Sequence, residues 1–81
     1  MHLTILTPEK ELFDGEVTSV KVPGISGQFE ILRNHAPIVA ALGEGDIRVI
    51  NALGEKQFYS IKKGFVEVLR NEVSLLVQVV S

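Results

Sequence analysis

Five consecutive apolar residues, Ile38-Val39-Ala40-Ala41-Leu42, constrain this chain more than any other stretch. They follow the polar segment Arg33-Asn34-His35-Ala36-Pro37, in which Ala36 must be extended because it precedes a proline. Neighbouring side chains on a strand point to opposite sides of the sheet, so a strand apolar at every position has no face suited to water. One side can fill the domain's own core. The other needs a companion, and the whole stretch from Gly24 to Asp46, a polar glycine-bounded loop leading into a two-faced apolar strand, reads as a docking surface.

The rest of the sequence is patterned as β structure. Val, Ile, Leu and Phe recur in short bursts separated by turn residues, and no window holds the i, i+3, i+4, i+7 spacing of an amphipathic helix. Residues 2–7 alternate, with Leu3 and Ile5 inward; residues 10–13 form a short strand stopped at Asp14-Gly15. Residues 16–22 place Val20 and Val22 on one face and Val17, Ser19 and Lys21 on the other, before a turn at Pro23-Gly24. Strands follow at 28–32, at 46–51 with Ile47 and Val49 inward, at 56–61, at 65–69, and at 73–80 after a turn at Arg70-Asn71. The last strand has a regular inward row, Val73, Leu75, Val77 and Val79, yet Leu76 and Val80 lie on the opposite face, where water would favour charge. The expected fold is all-β, a single β-sandwich domain over residues 1–81 with about nine or ten short strands.

A domain of 81 residues leaves much of its surface in water and has a modest margin of stability, so a partner would serve as its staple. With no cysteine, disulfides and thiolate metal sites are excluded. The net charge of −2, with eight dispersed Lys and Arg, gives no basis for gripping a phosphate backbone, and nucleic acid is not an expected partner. The longest apolar stretch, 75–80, falls far below the roughly 20 residues of a membrane-spanning helix, and no signal segment is visible, so a soluble chain is expected.

Catalytic chemistry finds few footholds. There are two histidines: His2 at a terminus expected to fray, and His35, whose ring could bond a nearby carbonyl, contact a partner or titrate. Ser26 and Ser60 lack a nucleophile-elbow context. Glu9, Glu11, Asp14, Glu16, Glu44 and Asp46 sit at strand ends and turns, the ordinary place for solvated carboxylates. Gly24-Ile25-Ser26-Gly27 lacks the Lys-Ser/Thr of a phosphate loop and opens onto a strand. The expectation is a non-catalytic protein with no cofactor and no metal.

In order and spacing, Val22-Pro23-Gly24, Gly27, Asn34-His35-Ala36-Pro37-Ile38, Ala41-Leu42 and Gly45-Asp46-Ile47-Arg48 resemble the N-terminal β-sandwich of the epsilon subunit of the rotary F-type ATP synthase. Leu12-Phe13-Asp14-Gly15-Glu16-Val17 is similar to that family's Phe-x-Gly-x-Val entry, so the resemblance covers the whole chain. It implies a rotor component of the central stalk, packed on the gamma subunit and resting on the polar loops of the membrane c ring. It also implies peripheral attachment through the complex, at the cytoplasmic face of a bacterial inner membrane. Carried over by position, Gln28, Glu30, Arg33 and His35 would face the ring, and Ile38, Val39, Ala40, Ala41 and Leu42, with Leu76 and Val80, would face gamma. Glu30 and Arg33 stand where the family usually has glycine and proline, and Gln28 where a carboxylate is common. The chain ends at Ser81 without the C-terminal helical hairpin of many members, so neither inhibition of hydrolysis nor nucleotide binding is expected of it.

The rival from another class is a lipoyl or biotinyl carrier with Lys21 modified. A carrier lysine needs an exposed hairpin tip, whereas Lys21 lies within an alternating strand and lacks the acidic or methionine neighbours of those domains.

Overall fold

A computed structural model describes residues 1–80, and all of its regular structure is strand. The strands are β1 (His2–Leu6), β2 (Glu11–Glu16), β3 (Ser19–Gly24), β4 (Gly27–Leu32), β5 (Ile38–Leu42), β6 (Gly45–Ile50), β7 (Lys56–Leu69) and β8 (Glu72–Val79). One hydrogen-bonded path runs β2-β1-β8-β7-β5-β3-β4, and β6 pairs with both β3 and β7. β1 and β8 are parallel; every other pair is antiparallel.

The strand count is eight because the segments expected at 56–61 and 65–69 are one continuous strand of 14 residues. Lys62-Lys63-Gly64 looks like a break, but the ladder to β8 merely shifts register between Ile61 and Lys63. The extra residue reverses which side chains point inward: Tyr59 and Ile61 before it, Val66 and Val68 after it. The first half of β7 pairs with β6, and the second half lies between β5 and β8. β7 therefore belongs to both halves of the sandwich, β2-β1-β8-β7-β5 and β4-β3-β6-β7. The other seam between them is a single residue pair, Gly24 with Leu42.

One continuous core lies between the halves. Leu3, Ile5, Val20, Val22, Ile31, Ile47, Ile61, Val66 and Leu75 are completely buried, and the inward rows expected for β1, β3, β6 and β8 all point into it. Val17 and Ser19 are also buried, so the second face assigned to residues 16–22 is only partly solvated.

Two expected turns are displaced. Asp14-Gly15 lies within β2, opposite Thr4 and Leu3, because its ladder to β1 continues as far as Glu16; the chain reverses after that strand instead. Pro23-Gly24 likewise belongs to β3, and the reversal occurs at Ile25-Ser26, with Gly27 at φ 130° closing the hairpin. Gly24 serves close approach rather than turning: a Cβ there would lie 2.6 Å from the Gly27 carbonyl oxygen. Arg70-Asn71 does form the β7–β8 turn, with φ of 52° and 62°, the paired positive angles of a type I′ hairpin.

The N-terminus is held rather than frayed. Met1 is buried, its ammonium donates to the Val17 carbonyl at 3.2 Å, and the His2 amide donates to the Asn71 carbonyl at 2.9 Å. Its neighbours in the folded chain, invisible in a linear reading, supply these anchors.

Candidate protein-interaction face

The apolar run of β5 divides as strand geometry requires. Leu42 is buried and Ile38 and Ala40 pack against the core, so these three side chains serve the domain itself. Val39, 71% exposed, and the half-buried Ala41 lie on the outer side. Of the seven residues assigned to a gamma contact, Val39, Ala41, Leu76 and Val80 thus offer outward surface, while Leu42 has none to give.

Sheet register lines up an apolar band across that outer side. Ala41 on β5 is opposite Phe65 on β7, Phe65 is opposite Leu76 on β8, and Leu76 is opposite Leu6 on β1. With strands about 4.8 Å apart, the row spans roughly 14 Å. Phe65 and Leu76 are 59% and 57% exposed, an unusual display of large side chains in adjacent strands. Pro8 and Ile25 extend the band, and together these residues line an open depression of about 720 Å³. The neighbouring rows are more polar, with Glu67, Ser74 and Thr4 on one side and Lys63 and Gln78 on the other. An apolar centre with a polar rim is the anatomy of a protein-binding patch.

Phe65, Leu6 and Ile25 are absent from the contact set read from sequence. Ile25 sits in what looks like a turn. Phe65 follows the register shift of β7, so its outward direction becomes visible only once the extra residue is placed.

The four candidate ring-contact residues do not gather on one surface. Gln28 is exposed beside the Ile25-Ser26 turn, whereas Arg33 and His35 lie beyond the other end of β4. There the Asn34 amide donates to Asn71 Oδ1 at 2.7 Å and Asn71 Nδ2 donates to Asn34 Oδ1 at 3.1 Å, tying the loop to the β7–β8 turn. The His35 amide donates to the Leu32 carbonyl at 3.0 Å, and its Nδ1 lies 2.7 Å from the Ala36 carbonyl oxygen. Glu30 is occupied within the fold: its Oε2 accepts from Arg48 Nη2 at 2.9 Å and from the hydroxyl of buried Ser19. Lys21 lies mid-strand and half-buried, opposite Glu30 and Arg48, far from any hairpin tip.

Because Glu30 is partly exposed, its substitution by Ala is expected to cost only about 1 kcal/mol. Urea unfolding of Glu30→Ala against the parent chain measures this. Among the described residues, no three His, Cys, Asp or Glu side chains are arranged to hold a metal ion.

The model of the ATP synthase delta/epsilon chain β-sandwich domain matches residues 1–81. The chain belongs to that family. The epsilon chain of Chlorobium limicola is 44% identical over 79 residues, covering 98% of this chain and 90% of that one. The Protochlamydia amoebophila epsilon chain is 42% identical over 74 residues, covering 91% of this chain but 50% of its own length. Among solved structures, a chain of the Euglena gracilis mitochondrial ATP synthase, in an assembly of OSCP, F1 and c ring, superimposes with a TM-score of 0.88 at 25% identity. The match covers 93% of this chain and 48% of that chain. A chain of the Tetrahymena thermophila central stalk and c ring, at 19% identity and a TM-score of 0.79, shares the fold. This epsilon-type β-sandwich is therefore an ATP synthase subunit domain, and among the described residues no helix is long and apolar enough to cross a membrane.

Proposed function

We propose that the domain is a non-catalytic rotor element that ties the gamma subunit to the c ring, passing ring rotation, driven by protons or sodium ions, to the catalytic head. The observation that carries this reading is the band Ala41, Phe65, Leu76 and Leu6 on the outer face, which the domain's own core leaves uncovered. In this reading gamma covers the band, with Val39 and Val80 at its margins. Gln28 meets the polar ring loops, since Glu30 is engaged internally and the His35 loop is tied to the β7–β8 turn. The domain then sits peripherally on the cytoplasmic face of a bacterial inner membrane, held there by the complex.

Covering the band contributes about 25 cal/mol per Å² of apolar surface, less the costs of association, while polar contacts at the rim set orientation more than strength. Phe65→Asp and Ala41→Asp are each expected to weaken binding to purified gamma at least tenfold, equivalent to about 1.4 kcal/mol. Circular dichroism should be unchanged, because neither side chain belongs to the core. Titration calorimetry with gamma tests this, and undiminished affinity in both variants would remove the outer face as the contact.

A further inference from the structure

We infer that His2 is a proton-operated clasp: as an imidazolium it ties edge strand β2 and the start of β8 to β1 between them, and as a neutral ring it releases one of the two.

The ring lies between two carboxylates on opposite neighbours. Its Nε2 is 2.5 Å from Asp14 Oδ1 on β2, and its Nδ1 is 3.0 Å from Glu72 Oε2 on β8. An ionised carboxylate only accepts hydrogen bonds, and a neutral imidazole has a single N–H. Both contacts therefore require both ring nitrogens to be protonated. The geometry specifies the charged form, and losing one proton must leave a carboxylate facing a lone pair.

The other charged groups nearby reinforce this dependence. Glu16 of β2 is paired in register with His2, but its carboxylate lies 3.6 Å from the Met1 ammonium. On the β8 side, Glu72 is the register partner of His2. Once the ring is neutral, Asp14 and Glu72 remain as uncompensated negative charges on the two strands flanking β1. The consequences are unequal. β8 is held on its other side by β7, whereas β2 ends the sheet and pairs with β1 alone. Release at His2 therefore loosens β2.

The direction with pH follows from the same contacts. Hydrogen bonding to Glu72, then to Asp14, raises the His2 pKa above its ordinary 6.5. The contribution is fully present below 6.5 and is lost as pH rises through the raised folded-state value. The sensitive window thus lies on the neutral-to-alkaline side of 6.5.

Ring-proton NMR titration of the full chain, combined with amide hydrogen exchange at pH values on either side of the His2 midpoint, tests the clasp. The expected midpoint lies above 6.5 and falls towards 6.5 in the Asp14→Asn, Glu72→Gln double variant. After correction for intrinsic exchange chemistry, β2 amides should lose protection through that midpoint while central β7 amides do not. His2→Gln should abolish the pH dependence in β2. A midpoint at or below 6.5, or β2 protection that responds to pH equally in the parent and His2→Gln, would overturn the proposal.

Discussion

Leu75→Ala is expected to remove about 2–5 kcal/mol of folding stability, the range for truncating a fully buried leucine. Leu75 is completely buried on β8, a strand flanked by β1 and β7, and it is paired with Ile5 on one side and Val66 on the other, both completely buried as well. Neighbours on both sides are fixed in ladders, so the space left by three lost carbons cannot collapse cheaply. A domain of 81 residues has a total stability of roughly 4–12 kcal/mol. The substitution should therefore bring the chain close to its unfolding threshold, with a fall in urea midpoint at unchanged slope. Leu76→Ala, one position along and outward-facing, should change the midpoint little. The contrast between adjacent leucines checks the facing assignment directly.

Gly64→Val is expected to be comparably damaging for the opposite reason. A Cβ at Gly64 would lie 2.5 Å from the Leu76 carbonyl oxygen and 2.9 Å from Val77 Cγ1. The first is backbone within the β7–β8 ladder and cannot swing aside, so β7 must shift away from β8 just after its register irregularity. Overpacking of this kind typically costs about 1–3 kcal/mol, and branching at the new Cβ places valine at or above the upper end. Gly64→Ala should show a smaller loss of the same sign. Thermal melts of the two variants order the effects, and a valine variant as stable as the parent would mean the strands are less closely apposed.

The inward rows of β1, β3, β6 and β8 were legible because each keeps strict period-two alternation, as in Val73, Leu75 and Val77. The outward Leu76 was legible for the same reason. What failed were judgements that depend on neighbours distant in sequence. Asp14-Gly15 carries turn chemistry, yet pairing with Thr4 and Leu3 keeps it in a strand. Phe65 could not be assigned a side until the irregularity at Lys62-Lys63 was located, because one extra residue reverses every later side chain in the strand. His2 reads as a loose end, and only folding brings Asp14 and Glu72 to it. The apolar run Ile38–Leu42 was legible as two-faced, but all five residues were assigned to the gamma contact, whereas Ile38, Ala40 and Leu42 serve the core and the outer half alone is small. Phe65 and Leu76, from two other strands, make it a continuous band.

The unbroken course of β7 has a mechanical consequence. Because one polypeptide segment carries Phe65 on the exposed band and Tyr59 in the opposite half, a tangential pull on the band is borne partly by covalent bonds in tension. Two layers joined by side-chain contact alone could shear past each other under such a load. Here sliding would have to strip the β6 rungs from the same thread, which stiffens the domain along the length of β7.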